Sequence, residues 1–285
     1  MATTCLGVDL GGTNVRVGLI SGGSLKELKS CEINGLSGGD EVLDQILELA
    51  ESFSGYNPEA IGFGVPSVVD TRRGIVYDVQ NIPGWDKVPL KQRAEERLKI
   101  PAFVNNDANC FAIGEYYFGK GRPYESLIAL NIGTGFAGGV VINGQLYEGR
   151  NCGAGEFGTI PYRESMLEHY CAGLFFQREH NTTGKELAKR AAAGDPEALE
   201  IFSEFGRHLG YAMKVVLYSY DPEAVILGGS VSHSFPYFRE SMEEEMSDFA
   251  YSNTLKNLSL ELSEEPDIAV LGAAALCRQG SAGKR

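Results

Sequence analysis

Gly7-Val8-Asp9-Leu10-Gly11-Gly12-Thr13-Asn14-Val15-Arg16-Val17-Gly18-Leu19-Ile20 reads as strand, glycine turn, strand. The plan returns in Leu130-Asn131-Ile132-Gly133-Thr134-Gly135-Phe136-Ala137-Gly138-Gly139-Val140-Val141-Ile142. Each copy sets a threonine beside paired glycines in a tight hairpin, where backbone N–H groups and a hydroxyl can converge on phosphate oxygens. One such loop reads as ordinary turn glycine. Two of them, each opening an α/β unit, favour a pair of phosphate-binding hairpins.

Two other phosphate motifs fail. Gly133-x-Gly135-x-x-Gly138 matches a dinucleotide fingerprint, which requires a helix next to receive the pyrophosphate. Here Gly139 to Ile142 reads as a strand closed by the hairpin signal Asn143-Gly144, so NAD binding is excluded. The P-loop pattern is absent, because Glu179 stands where its first glycine would precede Gly184-Lys185.

Around the hairpins, an amphipathic helix is expected over 40–53 and buried strands over 60–65, 75–79 and 100–104. A helix follows Asn105-Asn106-Asp107-Ala108-Asn109. The second unit opens at Ser126 with a strand over 127–132, and a helix follows over 184–193. Asp195-Pro196 marks the cap and first turn of a long helix to about Tyr220. A short strand over 225–227 runs into Gly228-Gly229, and a last helix starts at Ala269. The expectation is α/β with two halves: 1–108 joined by 269–285, and 109–268.

The 285 residues include 36 glycines, against an average of about 7%. Net charge is −13, which argues against nucleic-acid binding by general electrostatics. The six cysteines contain no C-x-x-C pair and read as reduced thiols. With no signal peptide and no long apolar run, a cytoplasmic protein without membrane contact is expected.

The paired hairpins resemble the actin/hexokinase/Hsp70 superfamily, and more closely the ROK family of sugar kinases and repressors. The residues that carry the likeness are Asp9 to Asn14, Gly62-Phe63-Gly64-Val65-Pro66, Asn81-Ile82-Pro83-Gly84-Trp85, Asn106 to Asn109, Gly133-Thr134-Gly135, Gly155-Glu156-Phe157-Gly158 and Leu227-Gly228-Gly229. They occur in the family's order. The resemblance implies two actin-like (ribonuclease H-like) lobes with an ATP and sugar cleft between them, and a homodimer.

It also implies roles. Asp107 would be the catalytic base, although by position alone it reads as a helix cap; the helix dipole would keep it ionised. Asp9 would orient Mg²⁺, through water. Gly11, Gly12, Thr13, Asn14, Gly133, Thr134 and Gly135 would hold phosphate, and Gly228-Gly229 the adenosine side. Asn106, Asp107, Glu156 and Glu168 would grip sugar hydroxyls, with Ser67, Asn81 and Thr159 as further candidates. Carboxylates suit this because each can accept bonds from adjacent hydroxyls.

Two departures stand out. The family's zinc cluster follows G-E-[IF]-G-H, but here Thr159 replaces the histidine and residues 161–166 contain no cysteine. Cys171 and His169 do not make a four-ligand site, so no structural zinc is expected. The sequence opens at the phosphate-loop strand with an acidic balance, so the DNA-binding role of the family's repressors is not expected. Of the remaining histidines, His180, His208 and His233 read as incidental, and Trp85 as packing at a domain edge.

The reading is an ATP- and Mg²⁺-dependent hexose kinase, with glucose phosphorylated at O6. N-acetylhexosamine (GlcNAc or ManNAc) and fructose are alternative acceptors. A non-catalytic sugar-sensing regulator and an Hsp70- or actin-like assembly ATPase are the rivals from other classes.

Overall fold

The computed structural model describes residues 4–33, 38–79 and 82–282, and the chain separates into two compact α/β units. The first comprises residues up to Arg122, Gln145–Ala154 and Glu264 onward; the second comprises Pro123–Gly144 and Gly155–Ser263.

In the first unit the Cys5–Leu10 strand pairs antiparallel with Asn14–Ser21 and parallel with Ala60–Val65, which pairs parallel with Ala102–Asn106. Strand alternation sends large residues to one face and small ones to the other. Leu6, Val8, Ile61 and Phe63 join one core with Val42, Leu43 and Ile46 of the Gly39–Glu51 helix. The opposite face carries Gly7 and Gly62, which are register partners. A Cβ at either would lie 2.0 or 1.9 Å from Val270 O or Ala273 O of the Ile268–Ala282 helix. Only residues without side chains let that helix backbone lie on the sheet. Ser24–Glu32 adds a polar edge strand.

The expected boundary at residue 108 is corrected. The Asp107–Phe118 helix belongs with the first unit because it packs backbone to backbone on the last helix. A Cβ at Gly272 would sit 1.7 Å from Cys110 O, and one at Gly114 would sit 2.3 Å from Ile268 O. Trp85 is likewise core rather than edge: it is buried, and its Nε1 donates to Gly39 O at 2.7 Å.

The second unit repeats the pairing scheme. Leu127–Ile132 pairs antiparallel with Phe136–Ile142 and parallel with Ala224–Gly228, which pairs parallel with Ser259–Leu262. The strand at Phe136 confirms the rejection of a dinucleotide loop. The Pro196–Tyr220 helix starts as its sequence indicates, with Asp195 Oδ1 accepting from Glu197 N–H at 3.0 Å. It closes a core rich in phenylalanine, including Phe175, Phe176, Phe202, Phe205 and Phe238. Among the described residues, no helix is long and apolar enough to cross a membrane.

Candidate active site

The first glycine turn is closed by Gly11 N–H donating to Asn14 O at 2.9 Å. Thr13 and Asn14 are exposed at its tip, where Thr13 Oγ1 accepts from Asn14 Nδ2 at 3.1 Å. Asp9 lies just behind the turn. Its Oδ2 accepts from Arg16 Nη2 at 2.8 Å and Nε at 3.1 Å, and Arg16 Nη1 also reaches Asp267 Oδ1 at 3.0 Å. Sequence reasoning missed this arginine, which holds the Asp9 carboxylate in place.

Asp9 is the register partner of Gly64, and the small residue there leaves room for the start of the next helix. A Cβ on Gly64 would stand 3.7 Å from Asp107 Cα. Strand order thus brings Asp9 and Asp107 to one end of the sheet. The Cys110 thiol is buried against Gly64 and is pushed well up, by burial first and then by the Asp107 and Asp9 charges.

The cap of that helix is Asn106, not Asp107. Asn106 Oδ1 accepts from Ala108 N–H at 2.8 Å and Asn109 N–H at 3.4 Å, while Nδ2 donates to Ser67 O at 3.3 Å. Asp107 occupies the first helical position and is half-buried, with Oδ1 accepting from Ala108 N–H at 2.9 Å. Capping of that helix therefore falls to the Asn106 side chain. Asn105 supports the pair from behind: its Oδ1 accepts from Asn106 N–H at 2.8 Å and Asn109 Nδ2 at 3.0 Å. Ser67 is therefore brought to Asn106, whereas Asn81 lies outside the described residues.

In the second unit, the Gly133–Gly135 turn is closed by Gly133 N–H to Gly135 O at 3.0 Å, and Gly133 O accepts from Gly173 N–H at 2.8 Å. Thr134 is exposed at the tip. Glu168 buttresses this turn from below, its Oε2 accepting from Phe136 N–H at 3.0 Å. That contact gives Glu168 a backbone partner that the sequence did not reveal. Gly155-Glu156-Phe157-Gly158 presses onto the same strand, and a Cβ on Gly155 would lie 1.9 Å from Gly138 O. Gly155 also has φ +92, which L side chains rarely adopt. Glu156 is thus placed beside Glu168. Desolvation and then the Glu168 charge raise its carboxyl above the ordinary value. Thr159 is tied to the same turn, its hydroxyl donating to Glu156 O at 2.9 Å.

Between Glu156 and Glu168 runs a short hairpin, Pro161–Tyr162 against Ser165–Met166. It is held by aromatic and histidine contacts: Tyr162 OH and His208 Nδ1 are 3.0 Å apart, and the Arg163 guanidinium lies 5.6 Å from the ring centres of Tyr162 and Tyr170. His208 is not incidental. It is 1% exposed, and burial together with Arg163 lowers its pKa to about 4. Nearby, His169 Nδ1 meets Ser165 Oγ, and burial raises the Cys171 thiol. Among the described residues, no group of three His, Cys, Asp or Glu could hold a metal ion.

A cavity of about 660 Å³ opens beside the second turn, lined in part by Gly133, Thr134, Lys185, Lys189, Ser230 and His233. Gly228-Gly229 leads into it. Gly229 has φ +84, and a Cβ there would lie 2.5 Å from Asn131 Oδ1 and the Ile132 backbone. The lysines and His233 come from helices with no motif of their own, so sequence reasoning passed over them.

A family model described as the ROK family matches residues 5–280. The chain belongs to the ROK family. It is 30% identical to a glucokinase of Thermotoga maritima, covering 96% of this chain and 97% of that one. It is 29% identical to a β-glucoside kinase of Listeria monocytogenes, over 87% and 89% of the two chains. Among solved structures, a ROK family glucokinase from Streptomyces griseus in complex with glucose and AMPPNP superposes with a TM-score of 0.82. That pair is 28% identical, over 97% of this chain and all of that one.

Proposed function

We propose that this member of the ROK family is a sugar kinase that transfers the γ-phosphoryl group of ATP to a hexose, with glucose at O6 as the preferred acceptor. The observation that supports the reading lies at the end of the first sheet, where Asp9 pairs with Gly64 and the Asp107 backbone packs against that glycine, so that two carboxylates share one end of the sheet. The names of the relatives support a sugar kinase, and the glucokinase among them supports glucose.

In this reading Asp107 accepts the proton of the attacking hydroxyl, and Asn106, Glu156 and Glu168 bind neighbouring hydroxyls. The Gly12 and Gly135 amides, with the Thr13 and Thr134 hydroxyls, receive the phosphates, and Gly11 and Gly133 allow their close approach. The 660 Å³ cavity takes the nucleoside, with Lys185 and Lys189 supplying local positive charge to an acidic protein.

Asp9 fits as the protein's contribution to a Mg²⁺ site, which in such chemistry needs one or two carboxylates besides phosphate and water. Its Oδ2 is taken by Arg16, while its Oδ1 accepts no bond from the described residues. When bound, the ion would neutralise phosphate charge.

An ADP-release assay with glucose, mannose, GlcNAc, ManNAc and fructose tests the proposal. Glucose is expected to give the highest kcat/KM, with the activity removed by Asp107→Asn. No turnover on any sugar would instead favour a sensor.

A further inference from the structure

Gln145–Ala154 belongs to the first unit although the chain on either side of it belongs to the second. The proposed reaction uses none of its residues. Two of its side chains, half-buried Glu148 and buried Cys152, nonetheless meet Asn105, the residue before the Asn106–Asp107 pair.

Asn105 is 2% exposed, so every bond its amide makes is made to protein. Its Oδ1 accepts from Asn106 N–H at 2.8 Å, Asn109 Nδ2 at 3.0 Å and Cys152 Sγ at 3.3 Å. Its Nδ2 donates to Glu148 Oε1 at 2.5 Å. The neighbours settle which way the amide points: a backbone N–H only donates and a carboxylate accepts, so oxygen faces Asn106 and nitrogen faces Glu148.

Glu148 is held in turn. Its Oε2 accepts from Thr71 Oγ1 at 2.9 Å, and its carbonyl accepts from Ala154 N–H at 3.2 Å, which closes the segment into a loop. Within that loop Cys152 has φ +57, a left-handed conformation that a residue with a side chain adopts at a cost. Such strain persists where the surroundings over-determine it. Here the thiol is fixed between Asn105 Oδ1 and Asn109 Nδ2, the latter at 3.5 Å.

All of this converges on one peptide. Asn105 Oδ1 holds Asn106 N–H at the step from the Ala102–Asn106 strand into the Asp107–Phe118 helix, whose first residue is Asp107. The terminal torsion of an asparagine is broad, so an amide without Glu148 is free to turn and release that N–H. A contact that only fastened the loop would change stability and leave turnover by folded protein alone. A contact that aims Asp107 changes kcat.

We infer that Glu148 is a positioning residue: it locks the Asn105 amide, which sets the Asn106–Asp107 peptide and with it the direction in which the Asp107 carboxylate meets the acceptor hydroxyl. The inference rests on the sugar-kinase reading, in which Asp107 takes the proton of that hydroxyl.

The test reverses the polarity of the bond. Asn105→Asp sets a second carboxylate against Glu148. The double variant Asn105→Asp/Glu148→Gln restores a donor to that contact at unchanged total charge, and Asn106 N–H keeps its acceptor. Glu148→Ala removes the contact at a half-buried position. In an ADP-release assay on glucose, Asn105→Asp should lower kcat about 100-fold and Glu148→Ala about tenfold, each with the KM for ATP within about twofold. The double variant should recover to within about threefold of the wild type. Melting curves confirm that folded protein is compared, and if Asn105→Asp does not fold, Glu148→Ala decides alone. The inference is overturned, with the kinase reading intact, if the single variants keep kcat within about twofold, if the double variant is no better than Asn105→Asp, or if the losses follow Tm alone. A wild type inert on every sugar removes the kinase reading and this role with it.

Discussion

The two glycine hairpins share one register but differ in what stands behind them. Asp9 pairs across to Gly64, as Asn131 pairs across to Gly228. Behind the first turn, Asp9 is held by Arg16 at the end of the sheet where the Asp107 helix starts. Behind the second, the corresponding position is the neutral Asn131, and the turn is braced by Glu168 and Gly173. One frame therefore carries two surroundings: the first unit concentrates charge behind its turn, and the second opens a cavity of about 660 Å³ beside its own.

The sharpest way to break this comparison is Asp107→Asn in the first unit. It should lower kcat by roughly 10²- to 10⁴-fold while leaving sugar binding measurable by calorimetry. A variant with near-normal kcat would return Asp107 to a structural role.

Next in size is an acid sensitivity confined to the second unit, which holds all four histidines. His208 is kept neutral by burial and Arg163, with Arg207 adding to the effect and Glu204 opposing it. Its folded pKa, about 4, lies below the ordinary 6.5. The unfolded chain therefore takes up the proton first, and stability is lost as pH falls from 6.5 towards 4. The loss should be on the order of 2–3 kcal/mol. Melting curves of the wild type and His208→Gln should diverge above pH 6.5 and converge below it; parallel curves would contradict the assignment.

Gly229→Ala comes third. The counterpart of Gly229 in the first unit is Val65, a buried residue with a side chain. In the second unit the positive φ and the Ile132 backbone forbid one. Strain of about 1–3 kcal/mol is expected, with a lower Tm and a raised KM for ATP.

The smallest effects separate two glycines within one turn. A Cβ at Gly135 would lie 2.6 Å from Glu168 Oε2, which cannot withdraw without giving up Phe136 N–H. Gly135→Ala should raise the KM for ATP about tenfold. At Gly133 the nearest atom is 4.0 Å away, so Gly133→Ala should leave it within about twofold. Equal effects would mean that the turn tolerates or resists substitution irrespective of Glu168.

The hairpins, the buried strands and the Asp195-Pro196 helix start were legible because each is set by local chemistry: glycine pairs, unbroken apolar runs, a cap residue. The Ser24–Glu32 strand was not, because its alternation is polar on both faces at a sheet edge. The Leu90–Leu98 helix escaped for a similar reason, burying only Leu90 and Ala94. At the site, Asp107 and the turn residues stood out as motifs. Arg16 and His208 are set by contacts across strands and helices, Lys185 and His233 by the wall of a cavity, and no local pattern marks them. The unit boundary was misread because the Asp107–Phe118 helix answers to a helix some 150 residues further along the chain.

That last helix has a consequence for biosynthesis. Residues 123–263 supply everything the second unit needs, whereas the glycine-lined face of the first sheet waits for Ile268–Ala282. On a ribosome, the unit begun first would be finished last, reversing the usual N-terminal-first order. The nascent first sheet would keep one face wet throughout elongation, and its glycines, offering little apolar surface, would make that wait less hazardous.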